Sequence, residues 1–321
     1  MFTNKDIEYR SIFVINCIEK RELKVSSGEL LLKNGENGET LTKFPFQKLL
    51  ALFIIGHITI TTPLIDKCKK HGVFISVMKP NLRPVFTYGH NAEANFLLRE
   101  RQYKQDSNDL RYSKRIVINK ITNQALLLKN TRRKDELTIK ALNIIEISKE
   151  LIKDVKSFRD LMGVEGLVAK EFFSAYFQDC NWIGRMPRTK CDIMNVTLDI
   201  GYTILFNFME SFIRMFGFDL YQGVYHRQWF KRKSLVCDLM EPFRCIIDRQ
   251  VRKSFSLKQF KEIDFGNTKG EYYLKRENNA EYYKTFFDAL IKHKQDIFLY
   301  VRQYYRAFMT NNPNSMQQFQ L

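Results

Sequence analysis

Apolar and polar positions follow a two-residue period early in the chain and a helical period later. Residues 11–16 (SIFVIN), 22–26 (ELKVS) and 29–33 (ELLLK) are short runs of β-formers and predict three strands. Between and after them stand Ser27-Gly28, Asn34-Gly35 and Asn37-Gly38, dipeptides that supply the positive φ angles of tight hairpin turns. Residues 50–60 (LALFIIGHITI) and 73–78 (VFISVM) are apolar almost throughout and predict two buried strands. The intervening residues 62–72 (TPLIDKCKKHG) predict a helix closed by Gly72.

The texture changes across residues 79–91, which carry Pro80, Pro84 and Gly89. Beyond them, long stretches keep a helical period with few Gly or Pro. The pattern therefore predicts an α+β protein: a small β-rich N-terminal domain, residues 1–88, then a larger, mostly α-helical domain, residues 89–321, with the boundary at Tyr88 to His90. No internal repeat or low-complexity segment interrupts this layout.

Two predicted helices carry carboxylates in places that ask for an explanation. Along residues 161–177 (LMGVEGLVAKEFFSAYF), Leu161, Val164, Val168, Phe172, Ala175 and Tyr176 form one apolar stripe, and Glu165 falls inside it. A carboxylate facing a core needs a cation or several donors, and an ion pair with an Arg meets that need as well as a metal does. Along residues 234–251 (SLVCDLMEPFRCIIDRQV), a broad apolar arc leaves Asp238, Glu241 and Asp248 on the other side, with Asp238 and Glu241 one turn apart. Adjacent carboxylates repel unless a divalent cation joins them. Two plainer readings stay open: a solvated acidic face eased by Arg244, Arg249 and Arg252, or a capping box from Asp238 to Glu241. Pro242 counts against the capping box and predicts a bend, or a helix start, near Glu241.

Just upstream, residues 223–234 (GVYHRQWFKRKS) place His226 before Arg227, Lys231, Arg232 and Lys233, with Trp229 and Phe230 interleaved. Basic residues mixed with aromatics suit a sugar-phosphate backbone with splayed bases, though an exposed basic loop anchored by its aromatics would look the same. Glu, His and an acidic pair together are the hard and borderline ligands that hold Mg²⁺ or Mn²⁺.

Charge supports a polyanionic partner. The 321 residues carry 52 Lys and Arg against 35 Asp and Glu, a formal +17 with a pI near 9.5. Residues 1–90 hold 13 basic against 8 acidic side chains and the rest 39 against 27, so most of the surplus belongs to the helical part. Charge alone does not separate DNA from RNA or an anionic membrane surface. Six cysteines show no C-x-x-C pair, which argues against a zinc ribbon or redox dithiol. The N-terminal residues lack the apolar core of a signal peptide, and the strongest apolar run, residues 49–56, is far too short to cross a bilayer. The expectation is a cytoplasmic protein with reduced thiols and no membrane partner.

These residues resemble the CRISPR-associated adaptation integrases, the family of the first Cas protein. Three stretches carry the likeness: GVEGLVAKEFFSAYF, NVTLDIGYTIL and YHRQWFKRKSLVCDLMEPFR. They correspond to the family's Glu-bearing segment, its Gly-Tyr helix and its His followed by Asp-x-x-Glu. Asp199-Ile200 departs from the Asn-Tyr common there, and Met240 to Arg244 is similar to integrases of class 2 systems. The layout of a small β domain before a larger helical one is also that of the family. The resemblance implies that Glu165, His226 and Glu241 bind Mg²⁺ or Mn²⁺, with Asp238 supporting or joining the site. It implies strand transfer by transesterification, in which the 3′-hydroxyl of a captured DNA fragment attacks a phosphodiester at the edge of a CRISPR repeat. It further implies double-stranded DNA, a homodimer formed through the N-terminal domain, and the small second Cas protein as partners. Two rivals remain: a stand-alone metal-dependent repair nuclease using water, and a non-catalytic nucleic-acid scaffold for which the carboxylates would not matter.

Overall fold

The computed structural model describes residues 2–17, 19–89, 91–132, 135–180 and 182–321. Thr3 caps a short first helix, α1 (Asn4–Tyr9). The strands then run β1 (Ser11–Cys17), β2 (Arg21–Ser26), β3 (Glu29–Asn34), β4 (Thr40–Pro45), β5 (Leu49–Gly56), β6 (Phe74–Met78) and β7 (Pro84–Tyr88), with α2 (Thr62–His71) between β5 and β6. β4 and β7 are additions to the five strands expected from pattern. Both are short and half-exposed, so neither shows an apolar run. The expected strand over residues 50–60 ends at Gly56, after which the chain leaves the sheet.

β2, β3 and β4 form an antiparallel meander, with Ser26 paired to Glu29 across the Ser27-Gly28 turn. The other sheet has the order β1-β5-β6-β7. β5 is parallel to β1 and to β6, while β7 is antiparallel to β6. Position explains the unbroken apolar run of β5. Its Leu52 and Ile54 pack with Leu23, Leu30 and Leu64 under the meander and α2, while Ala51, Phe53 and Ile55 join the core shared with the helices. A strand covered on both faces cannot alternate apolar with polar. His90, at the expected boundary, lies outside the described residues.

The remainder is mostly helical: α3 (Phe96–Lys104), α4 (Arg111–Lys129), α5 (Glu136–Asp154), α6 (Phe158–Tyr176), α7 (Ile193–Arg214), α8 (Ser234–Met240), α9 (Arg244–Ser256), α10 (Asn279–Ile291) and α11 (Lys294–Met309). A hairpin of β8 (Phe265–Thr268) and β9 (Glu271–Leu274) separates α9 from α10. α7 runs through the middle. Its Phe208 stacks on Phe53 of the sheet at 6.0 Å and meets Phe212 at a tilt, 5.4 Å away. Gly201 lets α7 approach α9, since a Cβ there would stand 2.4 Å from Ile247 Cγ2. The C-terminal coil is pinned to α4: Asn119 donates to the Phe319 carbonyl at 2.7 Å and accepts from its amide at 3.0 Å. Asn123 links the same carbonyl to that of Pro242. Among the described residues, no helix is long and apolar enough to cross a membrane.

Candidate active site

α6 is set by a Ser157 cap and by its buried stripe of Leu161, Val168, Phe172, Ala175 and Tyr176, as its periodicity predicts. That packing turns Glu165 toward α4, where its Oε1 meets the Lys120 ammonium and its Oε2 accepts from the Tyr225 hydroxyl. The partner of this carboxylate is therefore a lysine on another helix, not the Arg that the ion-pair reading supposes. Burial, and then the Glu165 carboxylate, raise the Tyr225 hydroxyl well above the ordinary phenol range.

α8 stops at Met240, a single 3₁₀ turn spans Glu241–Phe243, and α9 restarts at Arg244. Pro242 offers no N–H to continue the helix, which is the bend its position predicts. The turn drives Glu241 inward. Its Oε2 lies 2.7 Å from Lys120 Nζ and 2.9 Å from Arg244 Nε. Burial alone would raise its pKa, but the Arg244 and Lys120 charges outweigh burial and hold it well below the usual carboxylate range. Burial likewise pulls the Lys120 pKa down, and Glu165 and Glu241 together lift it above its ordinary value. Two carboxylates from segments 76 positions apart thus close on one ammonium.

Asp238, Glu241 and Asp248 are 0%, 2% and 1% exposed, so the solvated acidic face does not exist. Nor is there a capping box, because Asp238 lies inside α8, and neither Lys233 before α8 nor Phe243 before α9 makes a side-chain cap. Asp238 instead holds the loop before α8. Its Oδ2 accepts from the Val224 and Tyr225 amides at 2.6 and 3.0 Å. Its Oδ1 accepts from the His226 amide at 2.8 Å and faces His226 Nδ1 at 2.7 Å. Gly223 makes this approach possible, since a Cβ there would lie 2.6 Å from Asp238 Oδ2. Tyr225 ties the two clusters together, its ring edge-on to His226 at 5.1 Å and its hydroxyl on Glu165. The structure thus gathers Glu165 and Glu241 at one point and sets His226, oriented by Asp238, alongside. Among the described residues, no three His, Cys, Asp or Glu side chains close into a metal-ligand set.

Behind Arg244 lies Asp248, which accepts from the Tyr202 hydroxyl, while the Tyr202 ring stacks under Arg244 at 4.5 Å. Burial pushes the Asp248 carboxyl up to about 7. Its folded value exceeds the ordinary 3.8, so the folded chain holds the extra proton between those values and loses stability as pH rises through about 7. At ~1.4 kcal/mol per tenfold, that loss has a ceiling of about 4 kcal/mol. Asp248→Asn is expected to flatten the fall in urea midpoint between pH 5 and pH 8. Parallel falls in both proteins would remove Asp248 as the source. Glu241, with its lowered pKa, loses its contribution only on acidification below this window.

In the basic loop, Arg227, Lys231 and Arg232 face solvent, and Trp229 and Phe230 are 78% and 82% exposed. Lys233 departs from the expectation. Its ammonium binds both oxygens of buried Glu210, at 2.8 and 2.6 Å, beside Arg214. A lysine so paired is taken up by the fold and not offered to a partner. Asp199, at the departure from the family pattern, accepts from Arg185 at 2.5 Å and from the Arg188 amide at 2.7 Å. Lys120 and Tyr225 were missed from sequence. Lys120 did carry a signal, since it interrupts the apolar face of Ile116, Val117 and Ile121 as Glu165 interrupts its own stripe. Tyr225 carried none beyond its place next to His226.

A family model described as "CRISPR associated protein Cas1" matches residues 17–288. The chain is 31% identical over 254 residues to "CRISPR-associated endonuclease Cas1 1" of Francisella tularensis subsp. novicida, covering 74% of this chain and 78% of that relative. Among solved structures, a casposase bound to integration product superposes with a TM-score of 0.75 at 22% identity, over 94% of this chain and 91% of the casposase. A chain of a Cas6-RT-Cas1–Cas2 complex gives a TM-score of 0.79 at 20% identity. The match covers 97% of this chain and 36% of that longer one.

Proposed function

This chain belongs to the CRISPR-associated Cas1 family of endonucleases and integrases, and from that premise we propose that it inserts new DNA into a CRISPR array by metal-dependent transesterification. One observation carries the reading: Glu165 and Glu241 converge on a single cationic point, beside a histidine whose Nδ1 faces a buried aspartate. The donor set fits Mg²⁺ or Mn²⁺. Two hard carboxylates face one point, and the Nδ1 contact with Asp238 leaves His226 Nε2 for a ligand. Glu165, Glu241 and His226 would hold the ion. When bound, it supplies Lewis-acid activation of a 3′-hydroxyl and stabilises charge gathering on the phosphodiester.

The protein's own groups do the positioning. Asp238 fixes the His226 backbone and ring, Tyr225 orients Glu165, and Arg244, stacked on Tyr202, orients Glu241. Arg227, Lys231 and Arg232 bind the DNA backbone, and Trp229 and Phe230 offer faces on which bases stack. The proposed partners are double-stranded DNA, a second copy of the chain joined through the β-rich N-terminal part, and the small second Cas protein. The likeness to a chain of a Cas6-RT-Cas1–Cas2 complex and to a casposase bound to integration product supports the DNA and the second Cas protein in this choice.

The test is integration of a labelled fragment with free 3′-hydroxyl ends into a repeat-bearing plasmid, with and without EDTA. Joined product that disappears with EDTA is expected. Cleavage without joining would favour a repair nuclease, and DNA binding alone a scaffold. In the same preparation, replacing Arg227, Lys231 and Arg232 by Ala is expected to weaken DNA binding. The slope of log affinity on log salt should flatten by about one unit for each phosphate that the variant no longer neutralises. Lys233→Ala is expected to leave that slope unchanged while lowering stability, because its charge is spent on Glu210. Equal slopes in the triple variant and the parent would make the loop a bystander.

A further inference from the structure

The geometry points to Lys120 as a built-in competitor of the metal ion: its ammonium holds Glu165 and Glu241 together and must leave their point of convergence for a divalent cation to enter. This inference rests on the metal reading above and deepens it.

Three observations carry it. First, Lys120 contacts Glu165 Oε1 and lies 2.7 Å from Glu241 Oε2, so one ammonium faces both carboxylates that would serve as ligands. Ligand oxygens lie ~2.0–2.6 Å from Mg²⁺ or Ca²⁺, so an ammonium and a metal ion cannot share that point. Second, the charges already balance. Lys120 and Arg244 match Glu165 and Glu241, and a dication added beside both cations would face repulsion in a site of low solvent access. Third, of the two cations Lys120 is the one free to move. Arg244 is stacked on Tyr202 at 4.5 Å and opens α9 directly after the turn that carries Glu241, whereas Lys120 reaches in from α4 on a flexible four-carbon stem. The lysine therefore does two things. It neutralises a pair of carboxylates that would otherwise repel each other, and it sets the metal concentration at which the site fills.

The test is Mn²⁺ binding to the 321-residue chain without DNA, read from the free-ion electron paramagnetic resonance signal, with thermal unfolding alongside. Lys120→Gln is expected to bind Mn²⁺ at least ~10-fold more tightly than the parent, because no ammonium has to be displaced. Its unfolding temperature in EDTA should fall below the parent's and rise further on adding Mn²⁺. Lys120→Arg keeps the charge and is expected to bind Mn²⁺ within about threefold of the parent, which also covers the case in which the Gln variant folds poorly in EDTA. Loss of binding in Glu241→Gln, with unchanged or weaker binding in Lys120→Gln, would overturn the competition while leaving the metal site standing. Mn²⁺ binding indifferent to Glu241→Gln would instead show that the metal reading itself is wrong.

Discussion

Glu241→Gln is expected to reduce strand transfer by about 10³-fold or more, leaving DNA affinity within a few-fold of the parent. On the proposed reading, the magnitude follows from removing an anionic group that would hold the metal where charge develops in the transition state. DNA affinity persists because the solvent-facing cations of the basic loop, Arg227, Lys231 and Arg232, are untouched. From sequence alone this substitution should also leave folding intact. The structure revises that part. Lys120 and Arg244 both lie against Glu241 Oε2, and a neutral amide leaves two inward-facing cations with less than their full partner. A loss of about 1–3 kcal/mol is expected, the usual cost of leaving a buried polar group short of its partner. Integration of a labelled fragment, gel-shift affinity and thermal unfolding measure the three parts separately. Strand transfer at the parental rate would remove Glu241 from the chemistry.

Asp238→Asn should behave differently, with stability suffering more and chemistry less. Both carboxylate oxygens of Asp238 accept from backbone amides, Oδ2 from Val224 and Tyr225 and Oδ1 from His226. Whichever way an Asn amide turns, its NH₂ confronts at least one backbone N–H. The cost is a lost charged hydrogen bond plus a donor facing a donor, about 2–4 kcal/mol in a fully buried position. The loop that loosens carries His226, so strand transfer should fall about 10–100-fold, the range for a group that orients a ligand, and recover in part as Mn²⁺ is raised. A drop as deep as that of Glu241→Gln, and unresponsive to Mn²⁺, would place Asp238 among the ligands themselves. Preserved stability would contradict the amide-holding role.

Much of this fold is legible in the order of residues, and the reasons are local. Ser27-Gly28 and Gly38 punctuate the meander at positive φ, which few other residues accept, whereas Asn34-Gly35 does not take that conformation. The unbroken apolar run of β5 announces a strand covered on both sides, and Pro242 announces the break between α8 and α9. Half-exposed β4 and β7 escaped because a strand that buries little leaves little periodicity to read. The site divides along the same line. Position on a helix wheel is enough to mark Glu165 as a carboxylate in the wrong place, and spacing is enough to set Asp238 and Glu241 one turn apart. Neither says what answers the charge. An apolar stripe tells which face of a helix is buried, but not which segment will cover it. The ammonium that meets both carboxylates comes from Lys120, and it comes there because α4 packs against both α6 and the turn after α8. Lys233 shows the reverse: a charge that sequence assigns to a solvent-facing basic run is drawn inward because Glu210 of α7 lies buried within its reach. The demand for a counter-charge is a property of one helix. Which residue supplies it is settled only when segments distant in sequence pack together.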